Sequence, residues 1–274
     1  MIEKLTESRD IKVESALFDF DGTISTLRCG WEKVMAPMMV EYIMECGKDD
    51  ENDVKKLVDE WIDESTGIQT IFQMKWLTEQ VAQRGGNALD PWDYKAEYNR
   101  RLMLDIDRKK ARLNSGEESP ETYLMAGSVE FLKSLKANGV AIYVASGTDH
   151  PDVVTEAKAL GVYDLFDEIA GAPLHEENCS KEAVLKRLIS DHGLNGSQVA
   201  VVGDGKVEIM LGREAGAFAI GLASDEINRH GVNEVKRARL IKAGADIITG
   251  DFLDRKELLG MMGLADKSYG IQRA

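Results

Sequence analysis

The stretch Ser15-Ala16-Leu17-Phe18-Asp19-Phe20-Asp21-Gly22-Thr23 decides the fold. Its apolar residues predict a short buried strand over 15–20, which ends at the turn signal Asp21-Gly22. Asp19 and Asp21 are two residues apart, so in an extended chain they share one face while Phe18 and Phe20 take the other. Two carboxylates this close repel each other unless a cation lies between them or one is protonated. The stretch therefore predicts a strand with an acidic site at its carboxyl end.

Four apolar patterns with helical spacing follow this strand. They predict helices over residues 31–46, 54–62, 68–82 and 92–113. No strand pattern interrupts them, and all four tryptophans of the chain lie in this part of the sequence. We therefore expect residues 25–124 to form an all-helical domain inserted after the first strand.

From residue 129 onward, short apolar runs alternate with helical patterns. Strands are predicted over 140–145, 166–170, 198–202, 217–222 and 245–249, and helices over 129–138, 152–160, 181–192, 207–215, 232–243 and 256–262. Runs that are apolar on both faces indicate parallel strands covered by helices. The predicted fold class is α/β: residues 1–24 and 125–274 form a doubly wound parallel sheet, a Rossmann-like core, interrupted by the helical insertion.

Polar side chains follow several of the predicted strands, where sheets of this class bind ligands. Ser146 and Gly147 follow the second strand, and a hydroxyl with exposed N–H groups can hold a phosphoryl oxygen; an ordinary turn explains the pair as well. Asp204 follows the fourth strand. Glu208, four residues later, can face the same site if a helix begins promptly, although it also stands at the N3 position of a helix capped by Gly205, where Glu is favoured.

Lys181 lies in the first turn of a predicted helix whose N-cap is Ser180. The helix macrodipole disfavours a cation there by roughly 0.3–1 kcal/mol. A bound anion and nearby carboxylates would reverse that balance, but a solvated surface lysine is an equally good explanation. The carboxylates themselves have two chemical uses, because hard oxygen ligands suit Mg²⁺ and a carboxylate can attack phosphorus.

Charge and cysteine usage exclude several classes of protein. The net charge of −14 argues against nucleic-acid or anionic-membrane partners, since no concentrated basic patch offsets it. Cys29, Cys46 and Cys179 form no CxxC pair, and their odd number argues against a disulfide framework. The first residues lack the apolar segment of a signal peptide. We expect a cytoplasmic protein, and the oligomeric state stays open.

The complete set of motifs resembles one known family. Phe18-Asp19-Phe20-Asp21-Gly22-Thr23, Ser146, Lys181 and Gly203-Asp204-Gly205-Lys206-Val207-Glu208 occur in this order at predicted strand ends. This series resembles the haloacid dehalogenase-like superfamily, over most of the chain outside the insertion. The resemblance implies the phosphatase branch, with the insertion as a helical cap that closes over the site.

The resemblance also implies a role for each site residue. Asp19 would be the nucleophile and Asp21 the general acid and base, while Ser146, Gly147 and Lys181 would bind the phosphoryl group. Mg²⁺ would be bound by Asp19, the backbone carbonyl of Asp21, and Asp204, with Glu208 nearby. Position 208 is more commonly Asp in the family, which leaves open whether the longer Glu208 binds the metal directly or through water.

The function implied by the resemblance is a Mg²⁺-dependent phosphatase that acts through an aspartyl-phosphate on a small phosphorylated metabolite, such as a sugar phosphate or a phosphoglycolate-like compound. A phosphomutase uses the same two aspartates and is one alternative; a non-catalytic binding module on this fold is another. Thr23 favours the phosphatase pattern. The polar segment 65–70 between two predicted cap helices could project into the site or form a plain turn between helices.

Overall fold

The computed structural model describes residues 2–7, 10–177, 180–191 and 194–267. Within them the centre of the molecule is a seven-stranded sheet. Its strands, in chain order, are β1 (Glu3–Lys4), β2 (Ser15–Phe18), β3 (Ala141–Asp149), β4 (Glu168–Ala172), β5 (Val199–Gly203), β6 (Phe218–Leu222) and β7 (Ile247–Thr249). Their order across the sheet is β1-β7-β6-β5-β2-β3-β4, and every pair is parallel except β1 with β7.

The position of β2 determines where the site forms. It lies between β5 and β3, and the connections run outward from it in opposite directions along the sheet. Such a reversal opens a crevice at the carboxyl ends of the central strands. The predicted α/β class with a doubly wound, largely parallel sheet is confirmed.

Helices cover both faces of this sheet. They are α5 (Ser128–Ala137), α6 (His150–Ala159), α7 (Ser180–Asp191), α8 (Lys206–Glu214), α9 (Glu234–Ala243) and α10 (Arg255–Met261). The largest apolar core includes Phe18 and Phe20, both fully buried, against Phe131 and Phe252. Val201 and Leu17 belong to a second apolar cluster, packed against α7. This burial on both faces explains the continuous apolar runs of the sequence.

The segment between β2 and β3 is helical. It contains α1 (Glu32–Met44), α2 (Glu51–Glu64), α3 (Thr70–Gln83) and α4 (Pro91–Ser115). Asp50 and Asp90 cap α2 and α4 by accepting hydrogen bonds from Asn52 N and Trp92 N. The four helices bury an apolar cluster of their own, distinct from the sheet core. The division into domains at residues 24/25 and 124/125 stays a prediction.

The strands differ from the sequence prediction in several places: β4 begins and ends two residues later than predicted, β7 begins two residues later, and three further differences follow. The short antiparallel strand β1 was not predicted, because two residues carry no periodic signal. Strand β2 ends at Phe18, so Asp19 follows the strand, although its N–H still donates to Val202 O and extends the parallel ladder. Strand β3 runs to Asp149, and its pairing with β4 becomes irregular between Ala145 and Asp149, so Ser146 lies where the regular ladder stops.

Three further observations concern the cysteines, the ends of α7 and the length and polarity of the helices. Cys29 and Cys46 are free thiols, whereas Cys179 lies outside the described residues. The end predicted for α7, His192, also lies outside them, and the helix begins at Ser180 itself rather than after it. Across the described part of the chain, every helix is too short or too polar to cross a bilayer.

Candidate active site

A cavity of about 100 Å³ lies at the carboxyl ends of β2, β3 and β5. The sheet side contributes acidic, hydroxyl and lysine side chains, and the helical segment 25–124 closes the opposite side. Its lining residues are Asp19, Asp21, Gly22, Ser146, Gly147, Thr148, Lys181, Asp204, Gly205 and Glu226 from the sheet side, and Arg28, Trp31, Thr66, Gly67, Ile68, Thr70, Gln73 and Tyr98 from the helical side. Six of the seven residues predicted for the site line this cavity; the seventh, Glu208, lies directly behind it.

Asp19 is buried at the base of the cavity, with 7% of its surface exposed. Its Oδ1 accepts a hydrogen bond from the N–H of Phe20, and its Oδ2 lies 3.1 Å from Lys181 Nζ. Burial raises the pKa of Asp19 well above its ordinary value, and Lys181 opposes that rise. The carboxylate is therefore held in one orientation by two donors.

Lys181 is only 3% exposed, so the solvated surface position considered from the sequence is wrong. Its Nζ lies 2.9 Å from Glu208 Oε2 as well as near Asp19, and the two carboxylates raise the pKa of Lys181 despite its burial. Glu208 Oε1 meanwhile accepts a hydrogen bond of 2.6 Å from Gly205 N. Glu208 thus both caps α8 and faces the site, which combines the two alternatives that the sequence left open.

The two oxygens of Asp21 have different surroundings. Oδ2 accepts hydrogen bonds from Thr148 Oγ1 at 2.8 Å and from Ser146 Oγ at 3.4 Å. Oδ1 is buried and accepts a hydrogen bond from no described residue; Arg28 Nε lies 3.9 Å away. Burial raises the pKa of Asp21, and the guanidinium of Arg28 opposes the shift. One oxygen is therefore anchored, and the other is left for a group that enters the cavity.

Three buried carboxylates come close enough together to hold a cation. Among the described residues, one oxygen each of Asp19, Asp204 and Glu208 lies within 4.8 Å of the others. A Cβ on Gly22 would stand 2.3 Å from Asp204 Oδ2, so glycine leaves the space that this carboxylate needs. Hard, anionic oxygen donors fit Mg²⁺. The side chain of Asp21 is not part of this cluster, in agreement with an assignment through its backbone carbonyl.

Several functional positions were missed from the sequence. Thr148 holds Asp21, and Lys236 Nζ lies 2.6 Å from Asp204 Oδ2. Arg28 forms a buried ion pair with Glu156 of α6, with Nη2 2.6 Å from Oε1. Glu156 could have been found, because it stands on the apolar face of α6 three residues after the buried Val153. Thr148, Arg28 and Lys236 carry no such periodic signal.

The polar segment 65–70 lies over the site rather than away from it. A Cβ on Gly147 would come within 2.9 Å of Ile68 O, so the segment contacts the last part of β3 directly. Gly67, at φ +90°, approaches Glu208 Oε2, which a Cβ there would meet at 3.6 Å. Lys95 of α4 forms an ion pair with Asp149 at the end of β3. The helical segment is thus docked on the sheet edge that carries the acidic residues.

The comparison with family models decides the family. The model of haloacid dehalogenase-like hydrolases matches residues 13–216. The chain belongs to the haloacid dehalogenase-like hydrolases. The match spans both the motif at Asp19 and the motif at Asp204, and it includes the helical segment between β2 and β3. The roles of the individual site residues stay predictions.

Solved structures show the same fold at low sequence identity. The chain is similar to a predicted phosphatase from Clostridium acetobutylicum (19% identity, TM-score 0.58), covering 91% of this chain and 99% of that one. A predicted phosphoglycolate phosphatase from Haemophilus somnus gives 20% identity and a TM-score of 0.58 over 91% and 99% of the two chains. A β-phosphoglucomutase from Clostridium difficile shares 16% identity with a TM-score of 0.62, and the match covers 92% of this chain and 97% of that one. No curated protein sequence matches the chain.

Proposed function

We propose that the protein is a Mg²⁺-dependent phosphatase that hydrolyses a small phosphorylated metabolite through an aspartyl-phosphate on Asp19. The observation that carries the proposal is the difference between the two neighbouring aspartates. Asp19 is fixed beside a buried lysine and two further carboxylates, whereas Asp21 is held by hydroxyls at one oxygen and accepts no hydrogen bond from the described residues at the other. Two carboxyl groups in such unequal surroundings suit two different chemical roles.

In the first half-reaction a carboxylate oxygen of Asp19 attacks phosphorus. The bond between phosphorus and the leaving oxygen breaks, and the electron pair stays on that oxygen, which takes a proton from Asp21 Oδ1. Thr148 and Ser146 orient Asp21 for this transfer through Oδ2. Burial raises the pKa of both aspartates, but Lys181 Nζ lies 3.1 Å from Asp19 and favours its ionised form, so we assign the proton to Asp21.

In the second half-reaction water attacks the phosphorus of the aspartyl-phosphate. Asp21, now ionised, accepts a proton from that water, the bond from phosphorus to Asp19 breaks, and inorganic phosphate leaves. Ser146, Gly147 and Lys181 bind the phosphoryl oxygens in this proposal. Lys181 Nζ, between Asp19 and Glu208, supplies the positive charge on the sheet side.

The carboxylate cluster is the proposed Mg²⁺ site, with Asp19, Asp204 and the backbone carbonyl of Asp21 as ligands and Glu208 beside them. When bound, Mg²⁺ would neutralise charge on the carboxylates and on the transferring phosphoryl group. The proposal also includes a cytoplasmic location and the absence of nucleic-acid and membrane partners; the free thiols Cys29 and Cys46 and the strongly acidic composition support these parts.

A screen of phosphorylated metabolites tests the proposal. We expect inorganic phosphate to be released in the presence of Mg²⁺, release to stop on chelation and to return when Mg²⁺ is restored. Full activity in excess chelator after exhaustive dialysis would contradict the metal assignment. Conversion of a sugar phosphate into an isomer without release of phosphate would identify a phosphomutase instead.

A further inference from the structure

The helical side of the cavity is uncharged apart from one arginine. It presents hydroxyl and amide groups, backbone and aromatic rings: Trp31, Thr66, Gly67, Ile68, Thr70, Gln73 and Tyr98. The phosphoryl group is assigned to the opposite, sheet side, so the leaving group of the substrate must face this wall. The side chains of the wall can accept and donate hydrogen bonds and can pack against carbon, but they carry no net charge.

The cations that line the cavity are already engaged by carboxyl groups of the protein. In the part of the chain that the structure describes they are Arg28 and Lys181. Arg28 is opposed by Glu156, to which its Nε and Nη2 both donate, and by Asp152 at 3.3 Å and Asp21 at 3.9 Å. Lys181 lies between two carboxylates of the sheet side. Both cations are therefore held by groups of the protein, Arg28 against α6 and Lys181 on the sheet side, rather than presented to the leaving group.

The outer rim of the cavity is acidic. Glu226 lines it, and Trp31, Thr66, Asp204 and Glu226 also line a neighbouring groove of about 680 Å³, so cavity and groove adjoin. The groove further contains the acidic side chains of Glu32, Asp59, Asp63 and Asp225, against Lys33, Lys236 and Arg239. Lys236 is itself paired with Asp204 and Glu226. An approaching carboxylate would therefore meet like charge.

We infer that the substrate carries an uncharged, hydroxyl-bearing leaving group, a polyol or sugar, and that the site rejects a carboxylate at the same position. This inference rests on the proposed function, because it describes what the phosphoryl group is attached to. It selects between the two kinds of substrate that the sequence left open, and it excludes phosphoglycolate-like compounds.

Gln73 is the side chain best placed to select the leaving group. It is 4% exposed and lines the cavity from the first turn of α3. Its Nε2 donates to Ser65 Oγ at 3.1 Å, which fixes the amide in the wall. A neutral amide can bond to a substrate hydroxyl but cannot neutralise a carboxylate. Thr70, three residues earlier in the same turn, adds a hydroxyl to this wall.

Two matched compounds test the inference. Glycerol 3-phosphate and 3-phosphoglycerate share a three-carbon skeleton and a hydroxyl at the middle carbon, and they differ in a terminal hydroxymethyl or carboxylate group. Each is assayed as a competitor of p-nitrophenyl phosphate hydrolysis and, by phosphate release, as a substrate. We expect glycerol 3-phosphate to compete at least about tenfold more strongly, because the carboxylate meets like charge without a partner.

Equal or stronger competition by 3-phosphoglycerate, or no competition by either compound, would overturn the inference while leaving the proposed function intact. Absence of p-nitrophenyl phosphate hydrolysis in the presence of Mg²⁺ is a different failure: it would contradict the proposed function, and the inference would fall with it. The two failures are therefore distinguishable in one assay.

A second test of the inference changes the charge of the helical side of the cavity. Gln73→Lys places a cation in the cavity and should shift the preference between the two compounds toward 3-phosphoglycerate by about tenfold. Gln83→Lys makes the same substitution at the exposed end of the same helix and should leave the preference unchanged. An equal shift in both variants would show that the net charge of the protein, rather than the wall, sets the preference.

Discussion

The two walls of the cavity, one from the sheet and one from the helical segment 25–124, differ in charge. The sheet wall concentrates charge: the buried side chains of Asp19, Lys181, Asp204 and Glu208 lie within hydrogen-bonding or metal-binding reach of one another. The helical wall offers neutral side chains such as Thr70 and Gln73. Charge is costly to bury, so it is retained only where it is paired and where chemistry needs it.

This difference in charge indicates that the sheet wall carries out the chemical steps and the helical wall selects the substrate. The sheet wall is made from strand ends and is the same for any phosphoryl group, so changes there should affect every substrate alike. The helical wall is made from several parts of the segment after β2 and faces only what is attached to phosphorus. Changes there should alter the choice of substrate and leave the chemical steps intact.

Loss of the nucleophile should give the largest effect. Asp19→Asn removes the attacking carboxylate, and we expect turnover of every phosphoester to fall by at least about a thousandfold. Phosphate release from several substrates measures it. Asp164→Asn, the same substitution at an exposed position of the sheet domain, should leave turnover unchanged. A loss confined to one substrate would break the proposed division between the walls.

A smaller effect is expected where the two walls meet, at the ion pair between Arg28 and Glu156. Glu156 is fully buried, and burial raises its pKa to about 7 although Arg28 opposes the rise. Below about pH 7 the folded protein therefore keeps a proton on Glu156 that the unfolded chain releases near its ordinary pKa, and above that pH the ionised Glu156 forms the ion pair with Arg28. The contribution of Glu156 to stability is thus full at low pH and declines as the pH rises toward about 7.

Glu156→Gln should remove this dependence. The free energy of unfolding of the wild type, measured relative to that of the variant by urea denaturation, should fall by about 2–3 kcal/mol between about pH 5 and about pH 8. Asp164→Asn again serves as control and should show no such trend. A difference that stays constant or grows with pH would mean that Glu156 is ionised throughout this range.

Much of the fold could be predicted because periodicity encodes it. Strands β2, β5 and β6 are buried on both faces, so their sequences are continuous apolar runs. Helices α1–α4 bury one face each, so their apolar residues recur at helical spacing. The acidic residues of the site could be predicted for a related reason. An aspartate at the end of an apolar strand, such as Asp19 or Asp204, contradicts its surroundings and signals function.

The rest depends on contacts between distant parts of the chain. Thr148 and Arg28 reach Asp21 only after β3 and the segment after β2 have come together, and neither residue is unusual in its local sequence. The neutral wall could be predicted only in part: the segment 65–70, which includes Thr70, was one of two alternatives from the sequence, whereas Gln73 is an ordinary helix residue until the fold places it at the cavity. Such sites are defined by tertiary structure and not by spacing.

The most direct test of the central claim is to locate the phosphate on the enzyme. Wild type and Asp21→Asn are exposed to acetyl phosphate with Mg²⁺, quenched in acid, digested and analysed by mass. The account predicts a phosphate on Asp19 in both, and more of it in Asp21→Asn, because that variant lacks the base that activates water for its release. A phosphate on Ser146, or none in either protein while turnover persists, would contradict the account.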